Sequence, residues 1–262
     1  MSANWVLVTG GAVRLGREIC LAFARSGWHV MCHYRHSQDQ ALATCHAVRS
    51  LGVQALPVQC DLDDTADQTR MYQSACAAAG AAPAAVVNNA SLFEPDTGGQ
   101  LDGAGFQRQM RTNVLAPLQF GALLAQQAWP DAAHPRVLLH VLDQKVFNLN
   151  PDYFSYTVSK LALERCVALQ AQALAPQIRV VGVAPGLIYE SGPQSRENFE
   201  RASRVNLMRQ PTDPLDVAKT CVFLAETPSI NGITVCVDQG QHLVPLARDI
   251  MFVADALKAP PA

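Results

Sequence analysis

The regular alternation of short apolar runs with longer helical segments constrains the fold of this chain more than any other feature. The apolar runs are rich in Val, Ile and Leu and lie at residues 5–9, 29–34, 53–58, 84–88, 136–142, 178–184 and 233–237. Segments of helical composition separate them, at residues 14–26, 38–51, 64–80, 105–128, 154–175 and 214–226. Apolar strands that alternate with helices predict an α/β fold, a doubly wound parallel sheet of about seven strands with helices on both faces.

The alternation runs through the whole length, so we expect residues 1–262 to form a single domain. We find neither an internal repeat nor a linker. Two long irregular stretches, at about 91–104 and 187–212, are rich in Gly, Pro and polar residues, and loops of that length in a compact domain are often functional. We expect the second loop to cover a substrate, although its charged residues would also suit a solvated surface.

Composition favours a globular protein with a small-molecule partner. Hydrophobic residues make up 49% of the chain and charged residues 16%, and the net charge of −2 comes from mixed acids and bases, which gives no footprint for nucleic acid or an anionic membrane. The sequence has no membrane-spanning run and no secretory signal pattern, so we expect a cytoplasmic protein. The eight cysteines include no C-x-x-C pair, which favours buried reduced thiols over a metal site.

A glycine-rich turn connects the first predicted strand to the first predicted helix. In VLVTGGAVRLGREIC, Gly10, Gly11 and Gly16 lie around Arg14. Glycines let a backbone turn tightly and approach a pyrophosphate, and the helix N-terminus beyond them offers free N–H groups. The turn therefore predicts nucleotide binding in a Rossmann-type fold, with an ordinary tight turn as the alternative.

The residues after the second strand favour NADPH over NADH. An Asp or Glu there would bind the ribose 2′-hydroxyl of NAD, but the sequence has hydroxyl and cationic groups instead, at His33, Tyr34, Arg35, His36 and Ser37. Such groups suit a 2′-phosphate. The alternative is that the two cations at 35 and 36 only decorate the start of a helix.

Tyr156 is the candidate proton donor. It lies four residues before Lys160 in a segment of helical pattern, so the two side chains share one face, whereas Tyr153 has Thr157 at that offset. A neighbouring ammonium favours the phenolate, so we expect Lys160 to bring the pKa of Tyr156 closer to neutrality.

At these motifs the chain resembles the short-chain dehydrogenase/reductase family, through TGGAVRLG at 9–16, NNAS at 88–91, Asn113, YTVSK at 156–160 and APG at 184–186. The resemblance implies that Tyr156 donates the proton and that Lys160 holds the nicotinamide ribose and acidifies the tyrosine. It implies that Asn113 supports a relay water and that the nicotinamide supplies hydride. It also implies a homotetramer joined by the helices at 105–128 and 154–175, with the C-terminal segment at 241–253 reaching a neighbour.

Departures from the common family pattern resemble the pteridine reductase branch, which includes dihydromonapterin and dihydrofolate reductases of this fold. Arg14 replaces a glycine, Ser91 ends NNAS, and Asp143 stands where the catalytic serine is usual. Together with Phe93, this resemblance implies a pterin site beside NADPH formed by Arg14, Ser91, Phe93, Asp143 and Tyr156. The remaining cofactor contacts that it implies are Asp61 and Leu62 near the adenine, Asn89 and Ala90 near the adenosine ribose, Pro185, Gly186 and Ile188 near the carboxamide, and also Leu15, Ser91, Tyr156 and Lys160.

Asp143 also bears on the reaction by its chemistry. An ionised carboxylate would repel the alkoxide that forms on ketone reduction, whereas a ring C=N bond takes a proton on nitrogen, and a carboxylate accepts hydrogen bonds from pterin N–H groups. Asp143 would then either donate a proton, with a pKa raised by apolar surroundings, or orient the substrate.

Other interpretations remain at this point. The chain could be a carbonyl reductase acting on a 3-oxoacyl thioester or small ketone, or a nucleotide-binding scaffold without turnover. For single residues, Phe93 could simply pack, Arg14 could be solvated, Ser91 could belong to a turn, and Asp61 could lie in a helix cap.

Overall fold

The computed structural model describes residues 4–129, 134–192 and 194–254. Within them, seven parallel strands form one sheet in the order β3-β2-β1-β4-β5-β6-β7. The strands are β1 (Trp5–Val8), β2 (His29–Tyr34), β3 (Ala55–Gln59), β4 (Ala85–Asn88), β5 (Arg136–Val141), β6 (Ile178–Pro185) and β7 (Thr234–Val237). The predicted doubly wound sheet is confirmed, and each strand lies within two residues of its predicted position.

The helices are α1 (Arg14–Arg25), α2 (Gln38–Arg49), α3 (Thr65–Ala79), α4 (Gly103–Met110), α5 (Ala116–Ala125), α6 (Phe154–Leu174), α7 (Arg196–Ala202), α8 (Pro214–Glu226) and α9 (Ile250–Val253). Two hydrophobic cores cover opposite faces of the sheet, because successive side chains of a strand point to opposite sides. In β1, Val6 and Val8 pack into the core with α1, α2 and α8. Trp5 and Leu7 pack into the core with α3, α5 and α6.

The predicted helix at 105–128 differs from the structure in its middle. It consists of α4, a π-helical turn at Arg111–Leu115, and α5. Pro117 has no N–H to donate to the carbonyl of Asn113, four residues earlier, so one α-helical hydrogen bond is missing where the turn widens.

The long loop predicted at 187–212 also contains regular structure. Helix α7 lies inside it, and the Ser195 side chain caps its first turn by accepting a hydrogen bond from the Asn198 N–H. The Asn198 side chain in turn donates to the Met251 carbonyl, 3.0 Å away. Such a short helix gives little periodicity in the sequence, and a contact with a segment about 50 residues away helps to fix it.

The topology brings the functional segments to one edge of the sheet. The loops that follow β1, β4, β5 and β6 all leave from the carboxyl ends of parallel strands, which is where ligands bind in open α/β sheets. All eight cysteines are free thiols. No helix in the described ranges is long and apolar enough to cross a membrane.

Candidate active site

A cleft of about 610 Å³ lies at the carboxyl edge of the sheet. Its walls come from the loops after β1, β4, β5 and β6 and from the C-terminal segment before α9. The structure brings most of the predicted site residues together along these walls: Gly10, Arg14, Leu15, Gly16, Asn89, Ala90, Ser91, Phe93, Asp143, Tyr156, Lys160, Pro185, Gly186 and Ile188.

The glycine-rich turn at one end of the cleft is closed too tightly for side chains. Gly10 has a φ of +63°, and a Cβ on Gly16 would lie 2.0 Å from the Gly10 carbonyl oxygen. Arg14 occupies the left-handed region with a φ of +50°, which explains why glycine is usual at that position. The turn thus lies close against the N-terminus of α1, and Gly10, Val13 and Arg14 line the cleft beside it, an arrangement that suits a dinucleotide pyrophosphate.

The NNAS segment at 88–91 holds this turn in place through hydrogen bonds. The Thr9 hydroxyl accepts hydrogen bonds from the backbone N–H groups of Asn89 (2.9 Å) and Ala90 (3.0 Å). The Asn89 side-chain amide donates to the Thr9 carbonyl at 2.9 Å. Asn89 therefore lines the cleft while its amide group holds the turn in place.

The structure corrects the prediction for His33. This residue is 2% exposed and lies inside β2; its Nδ1 accepts a hydrogen bond from the Gly10 N–H at 3.0 Å, and its Nε2 faces the Cys60 carbonyl at 3.2 Å. Burial lowers its pKa to about 4. His33 is thus a neutral support for the glycine-rich turn and not a cation for phosphate.

The other residues predicted around the adenosine lie at the carboxyl ends of β2 and β3. Arg35 is exposed and forms an ion pair with Asp61, with Nη2 3.0 Å from Oδ2. Tyr34 is partly buried against the core, and Leu62 is buried. Ser37 precedes α2 without a side-chain capping hydrogen bond. Arg35 is therefore accessible here, as is the exposed His36 beside it.

The reactive end of the cleft contains a hydrogen-bonded acid pair. Asp143 follows β5 and Tyr156 lies in the first turn of α6, and the Tyr156 hydroxyl donates to the Asp143 carboxylate at 2.9 Å. Asp96 helps to orient α6, because its carboxylate accepts hydrogen bonds from both the backbone N–H and the hydroxyl of Ser155. The predicted choice of Tyr156 over Tyr153 agrees with this geometry, because the Tyr153 hydroxyl instead meets the sulfur of Met251.

Burial dominates the protonation of this pair. It raises the pKa of Asp143 above its ordinary value, and burial together with the Asp143 carboxylate raises the pKa of Tyr156. Lys160 donates to the Val141 carbonyl at 2.8 Å, and burial lowers its pKa to about 8. The expected acidification of Tyr156 by Lys160 is therefore wrong for this structure, in which the ammonium lies 5.7 Å from the phenol ring centre and burial prevails.

Asn113 supports the site from outside the cleft walls. Its side-chain oxygen accepts from the Leu92 N–H at 2.8 Å, and its amide donates to the Leu92 carbonyl and to the Ser159 hydroxyl at 2.9 and 3.0 Å. These bonds join the loop after β4 to α6. They position the segments that carry Phe93 and Tyr156.

Phe93 packs against two tyrosines but remains partly exposed. It stacks on Tyr153 with ring centres 4.0 Å apart and meets Tyr156 edge-on at 4.7 Å, yet 37% of it remains exposed. Tyr153 is buried behind it. Ser91 is exposed next to it, and its hydroxyl reaches the Asn113 side-chain oxygen at 3.3 Å.

Arg14 joins the two long walls of the cleft. Its guanidinium lies over the Tyr189 ring, 4.9 Å from the ring centre, and donates to the Glu190 carbonyl at 2.8 Å. Tyr189 and Glu190 begin the long loop after β6. The arginine is therefore placed between the pyrophosphate turn and the predicted substrate loop.

Several cleft residues were missed by sequence reasoning. Lys145 and Asp249 form an ion pair on the cleft wall with Nζ and Oδ2 3.1 Å apart. Gln194, Gln241 and Met251 also line the cleft. Lys145 had a weak signal in its position two residues after Asp143, whereas the C-terminal residues had none, because only the tertiary fold brings them here. The described part of the chain contains no cluster of residues able to hold a metal ion.

Comparisons with known proteins agree with this geometry. The family model described as Enoyl-(Acyl carrier protein) reductase matches residues 11–242. The chain is similar to the solved structure of FolM alternative dihydrofolate reductase 1 from Brucella canis, complexed with NADP, with 34% identity, a TM-score of 0.86 and coverage of 92% of this chain and 94% of that one.

Two curated relatives are more distant. Pteridine reductase 1 from Leishmania tarentolae is 29% identical over 92% of this chain and 97% of its own length. A 7alpha-hydroxysteroid dehydrogenase from Escherichia coli (strain K12) is 27% identical over 86% of this chain and 88% of its own length. The relatives thus carry names from both pteridine reduction and hydroxysteroid oxidation.

Proposed function

The chain belongs to the short-chain dehydrogenase/reductase family, and we propose that this NADPH-dependent reductase acts on the ring C=N bond of a dihydropterin or dihydrofolate. The observation that carries the proposal is the 2.9 Å hydrogen bond between Tyr156 and Asp143. Asp143 stands where a neutral serine is usual in this family, so a second acid lies beside the tyrosine. The similarity to an alternative dihydrofolate reductase and to a pteridine reductase supports the same assignment.

The residues at the phosphate end fit a dinucleotide. The turn around Gly10 and Gly16 packs backbone against backbone with no room for a Cβ on Gly16, and Gly10, Arg14 and Gly16 line the cleft where a pyrophosphate would lie. Arg35 would bind the 2′-phosphate, Lys160 the nicotinamide ribose, and the segment Pro185–Ile188 the carboxamide. The bound NADPH supplies the hydride to a ring carbon of the substrate.

The proton comes from the protein. As the ring carbon gains hydride, the adjacent nitrogen takes the proton of the Tyr156 hydroxyl, and the Tyr156 oxygen takes the proton of Asp143, which is left as a carboxylate. The raised pKa of Asp143 keeps it protonated to higher pH than an ordinary aspartate. Asp143 is partly exposed to the cleft, so water can return the proton. Lys160 favours the negative charge that develops on the pair.

The cleft also suits a flat bicyclic ring. Phe93 and Tyr156 form a rigid aromatic corner, and a partly exposed aromatic face opposite a nicotinamide makes a slot for stacking. Ser91 and Arg14 also line the cleft, and they would offer hydroxyl and guanidinium donors to the ring oxygen and nitrogens. The loop after β6 would meet the tail by which a pterin and a folate differ.

Carbonyl reduction is the second candidate, since one relative is named a hydroxysteroid dehydrogenase. An ionised Asp143 would repel the negative charge that develops on a ketone oxygen, and a ketone has no N–H group from which the carboxylate could accept, so both features favour a dihydropterin. A non-catalytic nucleotide-binding scaffold would not require the contact between Asp143 and Tyr156 or the burial of Lys160.

We also propose that the enzyme is a cytoplasmic homotetramer. Its eight free thiols suit a reducing compartment. The predicted interface helices carry exposed apolar side chains, with Leu115 at the π-helical turn 44% exposed and Leu169 in α6 64% exposed. The C-terminal segment, expected to reach a neighbour, lines the cleft of its own chain.

The experiment is a panel of NADPH-oxidation assays with dihydrobiopterin, dihydromonapterin, dihydrofolate, a 3-oxoacyl thioester, an enoyl thioester and small ketones, each repeated with NADH. We expect turnover with at least one dihydropterin or dihydrofolate and a preference for NADPH. Asp143→Ser should abolish that turnover while NADPH binding stays intact. Turnover confined to the ketones or thioesters would refute the proposal.

A further inference from the structure

Lys145 contacts the acid pair and a second carboxylate at the same time. Its backbone N–H donates to Asp143 Oδ1 at 2.8 Å. Its ammonium, only 3% exposed, donates to the Asp152 carbonyl at 2.8 Å and to Asp249 Oδ2 at 3.1 Å. Lys145 and Asp249 thus place a cationic and an anionic side chain next to each other on this wall of the cleft.

The placement of Asp249 is specified by more than this ion pair. Its backbone N–H donates to Asp152 Oδ2 at 2.7 Å, and its Oδ1 accepts from the Met251 N–H at 3.2 Å. The neighbouring Arg248 places its Nε 2.8–2.9 Å from both carboxylate oxygens of Asp152. Three anchors thus hold the Asp249 carboxylate on the cleft wall, on a segment that no other part of the proposed mechanism uses.

Each element packed around Asp143 brings a titratable or charged group to it. Helix α6 contributes Tyr156 and Lys160, the turn after β5 contributes Lys145, and the C-terminal segment contributes Asp249. The negative charge of Asp249 raises the pKa of Asp143 and of Tyr156, whereas the positive charge of Lys145 lowers the pKa of Asp143. The two members of the ion pair therefore act on the acid in opposite directions.

We propose that Lys145 and Asp249 are positioning residues of the proton donor, a pair whose opposite charges set how firmly Asp143 and Tyr156 retain the transferable proton. Asp249 favours the protonated acid and Lys145 limits that effect, so that the acid can still release its proton to the substrate. The inference rests on the proposed function only in taking Asp143 as a proton source. It adds two residues to the reactive end that do not touch the reacting atoms.

A purely structural ion pair would behave differently. Loss of either partner would then loosen the C-terminal segment and change activity in the same direction. An electrostatic pair predicts opposite shifts, because Asp249→Asn removes a negative charge near Asp143 and Lys145→Met removes a positive one. The sign of the shift therefore separates the two roles.

The test is the pH profile of kcat for dihydropterin reduction. A proton donor must be protonated, so kcat falls on the alkaline side as the acid ionises. We expect the alkaline limb to move to lower pH in Asp249→Asn and to higher pH in Lys145→Met, with the double variant between them. Asp216→Asn, which makes the same charge change in an exposed pair on α8, should leave the limb in place.

Shifts of the same sign in both single variants, or no shift in either, would overturn the proposal. Should Lys145→Met fail to fold, Asp249→Asn decides alone, because its limb must move to lower pH. If the wild-type enzyme reduces no dihydropterin or dihydrofolate, the proposed function fails by itself. In that case ¹³C NMR titration of the Asp143 carboxyl carbon in the same variants still tests the pair, since it needs no turnover.

Discussion

The two ends of the cleft are built by different physical means. The phosphate end is shaped by backbone, with Gly10 in the left-handed region and no space for a Cβ on Gly16. The reactive end is shaped by ionisable side chains that are withdrawn from water, with Tyr156 and Lys160 7% and 3% exposed. Steric fit decides function at the first end and charge decides it at the second.

Histidine and lysine illustrate the difference. At the phosphate end His33 is buried without charge and serves as a hydrogen-bond acceptor for the Gly10 N–H. At the reactive end Lys145 is equally buried but is paired with Asp249. The buried His33 is thus neutral, whereas the buried Lys145 lies beside a carboxylate.

The largest expected effect is a loss of catalysis at the reactive end that leaves cofactor binding at the phosphate end nearly unchanged. Tyr156→Phe should lower kcat by about 10²–10⁴, since the positioned proton donor is lost. Binding of NADPH should change by no more than about threefold, as for a substitution that removes no anchoring contact. Steady-state kinetics and fluorescence titration with NADPH measure the two quantities. Tyr153→Phe is the control, because its hydroxyl meets only the Met251 sulfur; an equal loss of kcat there would contradict the assignment.

The next largest effect comes from a steric change in the glycine-rich turn at the phosphate end. Gly16→Ala places a Cβ 2.0 Å from the Gly10 carbonyl oxygen, so the turn must open. Overpacking of this kind typically costs about 1–3 kcal/mol, and we expect NADPH binding to weaken by roughly 10- to 100-fold. Gly103→Ala is the matched control, because a Cβ there meets no atom within 4 Å. Unchanged NADPH affinity in Gly16→Ala would mean that the turn does not hold the pyrophosphate.

A smaller effect concerns the choice of nucleotide. Arg35→Ala should weaken NADPH binding by about 1.5–3 kcal/mol, the usual contribution of a charge-assisted bond to phosphate, and leave NADH binding nearly unchanged. Removal of Arg35 also leaves Asp61 without its ion-pair partner, which acts in the same direction. Arg70→Ala removes a similar exposed cation from α3 and should affect neither nucleotide. An equal loss for NADH would rule out a 2′-phosphate contact.

Most of the fold could be predicted because its strands are buried on both faces. Continuous apolar runs such as Arg136–Val141 stand out from any helix, and their spacing by helical segments leaves few topologies open. The π-helical turn around Asn113 and the helix α7 could not be predicted in this way. The first depends on a missing donor at Pro117 within an otherwise helical pattern, and the second depends on a contact with Met251.

The site was predicted where residues close in sequence must act together, as in the glycine-rich turn and the pair Tyr156 and Lys160. His33 was misassigned because a short strand bounded by polar residues does not reveal which of them point inward. Lys145 and Asp249 lie 104 residues apart along the chain, and no local pattern relates them. The pKa of Tyr156 depended on burial, which outweighed the nearby lysine.

One wall of the cleft is the C-terminal segment, which is held by contacts outside the sheet. Arg248 and Asp249 are fixed by Asp152 on the loop before α6, and the sheet itself takes no part in these contacts. A change in this segment would therefore alter one wall of the cleft, while the glycine-rich turn on the cofactor side stays as it is. Specificity for the substrate can thus change through residues 248–251 without rebuilding the core.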